Sequence, residues 1–455
     1  MSLPLFESFL TTTEMSQVFD DANVVQAMLD FEAALAQAQA QEGLISNETA
    51  ALIARHCKAK KFNIPELVIA ARRAGSMAIP LVKALTLAVA SENQEAATKV
   101  HWGSTSQDVI DTGSVLVTRQ ALKVIDNDLA PLCARLLDLA EEHIQTPVLA
   151  RTLMQPAQTT TLGFKIMNWT APLIRSRRAL KDLAGISLQV QLGGAIGTLA
   201  VMGEKGPAVA RRVAEILELS PAHGSWHTQR DNWVRLALEV AILTGSLGKI
   251  GKDLSLMSQG EVAELAEPTG TGRGGSSAMP HKRNPVSAMV ALAAATRSPQ
   301  KAATLLATLP QEHERSLGNW QAELAEWPGL FLGVHGSISA LREAFCGLVV
   351  DTDRMRRNID NLQGLIFAEA VSVYLAQAIG RPAAHHLMEE LTGKTLAENR
   401  HLLDVVSEAV QNDANLARKI ESDTLKSLFD PIKASISAQQ LTAIRLTELR
   451  QQLHT

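Results

Sequence analysis

Eight apolar residues between Asn232 and Gln259 (Trp233, Leu236, Val240, Leu243, Leu247, Ile250, Leu254 and Met257) follow one another at intervals of alternately three and four. A strand cannot hold such a row on one face, because its side chains alternate sides, whereas an α-helix stacks them into one seam. The run predicts an unbroken helix on the order of 40 Å long, at about 1.5 Å per residue. A helix of that length with such a seam belongs in a bundle. The same spacing recurs at Leu122, Ile125, Leu129, Leu132, Leu136 and Leu139, where Pro131 is predicted to bend the helix. It recurs again at Leu162, Ile166, Trp169, Leu173, Leu180 and Leu183. Two further apolar stretches, 286–309 after Pro285 and 320–349, bring the prediction to five long helices between residues 112 and 350. No Val/Ile/Thr-rich alternation competes with them. Aromatic residues are only 4% of the chain, and Ala and Leu dominate, which suits helices packed closely through small and aliphatic side chains. The predicted fold class is all-α.

The helix around residues 240–248 (Val-Ala-Ile-Leu-Thr-Gly-Ser-Leu-Gly) is apolar nearly all round, so it must be covered on every side. Packing of bundles from several subunits would do this; cover by flanking domains is the alternative. The first ~110 residues read as shorter helices punctuated by Gly and Pro, as at Gly43 and Pro80, and from Asp351 onward the chain is more charged. The expected domains are therefore 1–110, 111–350 as the central bundle, and 351–455.

The 43 basic residues nearly balance the 47 acidic ones, and no basic tract is interleaved with aromatics, so nucleic acid is not an expected partner. Cys57, Cys133 and Cys346 are too scattered for a disulfide framework or a metal cluster, and a reducing cytoplasm is expected. No basic segment followed by an apolar one opens the chain, and no uncharged apolar run reaches ~18 residues, so neither a signal peptide nor a membrane span is expected. His385 and His386 have no third ligand near them in the sequence, and no metal site is expected.

Three segments carry candidate chemistry. Residues 274–285 read Gly-Gly-Ser-Ser-Ala-Met-Pro-His-Lys-Arg-Asn-Pro. A loop this rich in glycine, running into a helix with Asn284 as the expected N-cap and Pro285 at its first position, offers backbone N–H groups to an anion. Lys282 adds a cation, and Ser276 and Ser277 add hydroxyls. A flexible linker is the plain alternative. Residues 101–112 read His-Trp-Gly-Ser-Thr-Ser-Gln-Asp-Val-Ile-Asp-Thr, a hydroxyl-rich turn before a long helix that ordinary capping would also explain. Residues 151–159 read Arg-Thr-Leu-Met-Gln-Pro-Ala-Gln-Thr.

These three segments together resemble the fumarase/aspartase superfamily, and the 274–285 string matches its G-S-S-x-M-P-x-K-x-N-P signature at every fixed position. The resemblance implies a three-domain, all-α fold that assembles as a homotetramer, with each active site shared between subunits and with no cofactor. It implies Ser276 as the base at the carbon next to a carboxylate, with Lys282 and Asn284 binding and polarising that carboxylate. Ser277 and Met279 are carried over as substrate contacts from the same signature, and Thr105, Ser106 and Gln107 from the first segment. The physical logic agrees. A proton α to a carboxylate leaves only if placed donors stabilise the doubly charged aci-carboxylate.

The third segment departs from the pattern. Where lyases of the superfamily use histidine as the acid for a departing amine or hydroxide, this chain has Leu153 and Pro156. Loss of such an acid would cost ~10²- to 10⁴-fold in rate. A carboxylate, with a pKa of ~4, leaves without protonation. The sequence is thus similar to the cycloisomerase branch of the superfamily, in which a carboxylate adds to a double bond within one small tricarboxylate. The likeness extends to residues 78–83, 226–231, 310–316 and 361–365. Arg230 and Arg315 are expected either to grip substrate carboxylates bidentately or to form salt bridges. His227 and His313 are expected as stand-in acids or polar contacts. Two alternatives remain: an amine lyase of the same superfamily, such as adenylosuccinate lyase, and a non-catalytic helical protein like the related lens crystallins.

Overall fold

The computed structural model describes residues 5–270, 272–275, 278–279 and 281–454. It is built of α-helices. The elements that matter for the site are α1 (Asp21–Gln41), α2 (Ser106–Glu142), a hairpin of β1 (Pro147–Thr152) and β2 (Gln155–Thr161), α3 (Leu162–Ser187), α4 (Gly206–Leu217), α5 (Asp231–Met257), α6 (Val286–Ala307) and α7 (Asn319–Cys346). Helices α2, α3, α5, α6 and α7 are the five long helices expected from the heptad-like spacing. Pro131 lies inside α2, which continues to Glu142.

Two features differ from the sequence reading. The first 110 residues contain the 21-residue helix α1, longer than the short helices expected there. It ends where Gly43, at φ +68, lets the Leu44 N–H return to the Gln39 carbonyl. The antiparallel β1–β2 hairpin was also not expected. Its turn residues, Leu153 and Met154, both hold positive φ without a glycine to signal it.

The chain divides into two compact units: Met1–Leu129, Arg175–Gly248 and Val290–Ala340 form the first, and Ala130–Ile174, Lys249–Met289 and Leu341–Thr455 the second. Each of the five long helices gives residues to both. In the first unit, Leu236, Val240, Leu243 and Leu247 are fully buried, each burial stabilising the fold by about 1.5–3 kcal/mol. Helices α5 and α6 come very close there, since a Cβ on Gly248 would lie 2.3 Å from that of Ala295. Trp233 and Trp327 stack at 3.9 Å, and the Trp327 indole donates to Thr118. In the second unit, Leu132, Leu136, Ile250 and Leu254 are buried, and the Trp169 indole donates to Asp253 at 2.7 Å. A separate cluster around Val371, Leu375, Leu402, Val405 and Val406 forms the core of the C-terminal helices. No single helix among the described residues is long and apolar enough to cross a membrane.

Candidate active site

In the first unit, the chain turns sharply into α2. His101 and Gly103 both have positive φ, and a Cβ on Gly103 would strike the Met202 side chain at 2.9 Å. Asp108, two residues into the helix from Ser106, reaches back to accept the Thr105 N–H at 3.0 Å, one half of a capping box. The capping alternative thus holds, but Asp108 does more than cap. Its fully buried carboxylate also accepts from the N–H groups of Gly193 (3.0 Å) and Gly194 (2.9 Å), and sits 2.7 Å from His227 Nε2. One carboxylate therefore ties together the turn, a glycine loop and the segment before α5.

Arg315 completes this cluster. Its guanidinium donates to Thr105 Oγ1 at 2.7 Å, Ser106 Oγ at 3.0 Å and Gln107 Oε1 at 3.3 Å. The Gln107 amide in turn donates to the His227 carbonyl at 2.9 Å. Five of the residues singled out from sequence, Thr105, Ser106, Gln107, His227 and Arg315, are thus brought together. Because the two hydroxyl oxygens accept from Arg315, their own hydrogens are available for a carboxylate acceptor. His227 is buried with Nδ1 lacking a partner among the described residues. Nearby, His101 Nδ1 lies 2.5 Å from Glu32 Oε1. Burial disfavours the His101 cation, but Glu32 more than offsets it and raises the pKa above its ordinary value.

Arg230 and His313 do not join this cluster. The Arg230 guanidinium is buried between Asp111 and Glu323, bonded to both, with its face 4.5 Å from the Trp226 ring. The salt-bridge alternative is the one the structure adopts: the guanidinium that was expected as a possible substrate clamp is committed to two internal carboxylates. His313 is exposed at φ +50 and makes no hydrogen bond or ion pair with a described residue.

The glycine loop of 274–285 belongs to the second unit. Ser276 and Ser277, the expected base and its neighbour, lie outside the described residues, as do Thr271 and Pro280. The loop is fastened at its base: the Asn284 N–H donates to the Gly274 carbonyl at 2.9 Å, and the Lys282 N–H to the Met279 carbonyl at 3.0 Å. Gly274 has φ +64, and a Cβ there would come within 2.8 Å of the Asn284 carbonyl, so glycine is required. Lys282 and Asn284 line a cavity of 380 Å³, and the Lys282 ammonium has no partner among the described residues. Met279 is partly exposed.

The start of α6 corrects the capping expectation. Helix α6 begins at Val286, and its first N–H groups are taken by Glu267 rather than by Asn284. Glu267 accepts from Ser287 at 3.0 Å and Ala288 at 2.9 Å, while Arg273 bridges Glu267 to Ser287 Oγ. The sequence reading missed Asp108 and Glu267. For Asp108 the Thr-x-x-Asp pattern was a usable signal; nothing local marks Glu267, which lies some twenty residues before the groups it caps.

At the hairpin tip, Leu153 is 97% exposed and Met154 72% exposed. The hairpin is anchored by Arg151, which makes a bidentate pair with Glu264 (2.8 and 3.1 Å).

Residues 8–298 match the lyase family, and residues 364–443 match the adenylosuccinate lyase C-terminus. This chain belongs to the lyase family. The lyase is 45% identical over 438 residues to a 3-carboxy-cis,cis-muconate cycloisomerase of Bradyrhizobium diazoefficiens, covering 96% of each chain. It is also 45% identical to one of Pseudomonas aeruginosa, covering 94% of this chain and 92% of the relative. Its fold matches the crystal structure of the 3-carboxy-cis,cis-muconate lactonizing enzyme of Pseudomonas putida with a TM-score of 0.92, at 42% identity, over 98% of this lyase and 99% of that chain.

Proposed function

We propose that this lyase converts 3-carboxy-cis,cis-muconate to 4-carboxymuconolactone, a step of protocatechuate breakdown through β-ketoadipate. The observation that carries the reading is the near full-length similarity to cycloisomerases of that name. The hairpin tip agrees with it: Leu153 and Pro156 stand where an acid would be needed to expel an amine or hydroxide, and neither can donate a proton. One carboxylate of the substrate adds to the adjacent double bond, the C–O bond of the lactone forms, and the electron pair moves to the acetate-arm carbon, which takes up one proton. No atom enters or leaves apart from that proton, which the reverse reaction returns.

In this reading Ser276 delivers the proton, and Lys282 and Asn284 hold the aci-carboxylate that precedes it. Ser277 and Met279 flank it. Thr105, Ser106 and Gln107 hold a second carboxylate, with Arg315 orienting the hydroxyls and supplying positive charge. The bond network around Arg315 supports this division. We assign the lyase to the cytoplasm as a homotetramer whose sites draw on several subunits. The bare apolar tip at Leu153 and Met154, and exposed Ile242 and Met289 on the long helices, support an assembly that covers them.

The test is to mix the protein with 3-carboxy-cis,cis-muconate and follow the loss of diene absorbance. Absence of turnover by a well-folded, fully assembled protein would remove the proposal, and release of fumarate from adenylosuccinate instead would replace it with an amine lyase.

A further inference from the structure

The glycine loop that holds Asp108 also forms one wall of a separate cavity of 580 Å³ within the first unit. Most of its walls are apolar, including Leu192, Leu199 and Pro207, and none of the lining residues is acidic. Two basic side chains line it: Arg211 on α4, and His223 in the segment before α5. Neither makes a hydrogen bond or ion pair with a described residue. The contrast with the next residue is informative, because Arg212 is committed to Glu42 and Glu215. Glu215 stands four residues after Arg211, a spacing suited to pairing with it, yet it goes to Arg212. Arg211 and His223 are both exposed, and Arg211 has no acidic partner among the described residues.

Hydroxyl groups stand beside these cations. Thr198 and Ser225 also line the cavity, and Ser225 Oγ accepts from Gln191 Nε2 at 3.0 Å, which leaves its own hydrogen to donate. The loop is pressed against this wall: Gly197 has φ +85, and a Cβ on it would lie 2.9 Å from Ser225 Cβ. None of these groups takes part in the proposed reaction.

We propose that this cavity is a second anion site, which takes a small carboxylate with a hydrocarbon body. The guanidinium is matched to a carboxylate and meets no competing acid. The aliphatic walls favour an apolar body over a bare inorganic anion.

Benzoate is the probe, titrated calorimetrically into the whole chain at low ionic strength. Wild-type protein should bind it saturably. Arg211→Gln should weaken binding about tenfold or more, the loss of one charge-assisted pair, without changing turnover. Ala210→Phe, which fills the cavity from its lining, should block binding independently of charge. Lys282→Met should keep benzoate binding, which separates this cavity from the signature loop. Benzyl alcohol and inorganic phosphate, each lacking half of the recognised chemistry, should bind more weakly. The proposal is overturned if wild-type protein does not bind benzoate, if Arg211→Gln and Ala210→Phe both bind it unchanged, if Lys282→Met alone abolishes binding, or if benzyl alcohol binds as well.

Discussion

Replacing Arg230 by methionine should cost this protein much of its stability. The guanidinium bonds Asp111 through Nη1 at 2.8 Å and Nη2 at 3.2 Å, and Glu323 through Nε at 3.1 Å and again through Nη2; all three side chains are about 1% exposed. One cation between two carboxylates leaves a net charge of −1. Removing it leaves two buried carboxylates, with the Trp320 indole, 2.9 Å from Asp111 Oδ1, among the few donors that remain. Breaking a buried ion pair from one side costs about 3–5 kcal/mol. Methionine keeps the apolar volume, so a cavity adds little to this.

The deficit should also depend on pH. Burial raises the Glu323 pKa, and the Arg230 cation only partly offsets this. A raised carboxyl holds its proton more tightly when folded, so its contribution is present at low pH and is lost as pH rises through the raised value. Without Arg230, and with Asp111 facing it, Glu323 rises further, so acidification should narrow the gap between variant and wild type. Urea unfolding followed by tryptophan fluorescence suits the measurement, because Trp226, Trp233 and Trp320 surround the triad. Adding Glu323→Gln to Arg230→Met should recover part of the loss. A single-variant loss below about 1 kcal/mol, or a gap that widens on acidification, would refute the buried-charge reasoning.

Four further outcomes are expected. Asp108→Asn, which loosens the turn, the glycine loop and His227 together, should lower kcat/KM for diene loss by about 10²-fold while circular dichroism stays helical. Lys282→Met should lower kcat by about 10²–10³-fold, the scale of losing one charge-stabilising group, as read by saturation kinetics. Leu153→His, placing a protonatable ring at the hairpin tip, should change kcat/KM by less than about threefold, because a carboxylate needs no acid to leave. Glu267→Gln should cost about 1–2 kcal/mol in chemical denaturation through the weakened start of α6.

The long helices were legible because each carries its own evidence: the seam from Trp233 to Met257 repeats over seven turns, and its length alone excludes a strand. The hairpin was not, because Pro156 sits inside a strand and Leu153 and Met154 make its turn without Gly, Asn or Asp. The turn at Thr105 was legible as the start of a helix; its link to Arg315, 210 residues away, is visible only in the fold. Arg230 shows the limit of such reasoning. Its residue type suits a substrate clamp, but its partners lie 119 and 93 residues away, and only the fold reveals that they occupy it. Glu267 makes the same point in reverse: Asn284 stood in the expected capping position, while the carboxylate that caps α6 arrives from an earlier segment.

That carboxylate has a consequence for how an anion is drawn in. With the positive pole of α6 quenched from within by Glu267, the helix lends an arriving anion little attraction, and in the proposed reaction capture would fall to Lys282, a solvated point charge on a flexible stem. Such attraction fades over a Debye length of about 8 Å in physiological salt. The association rate should therefore fall with added electrolyte, while the bond-making step, with its reacting groups already in contact, stays indifferent to it.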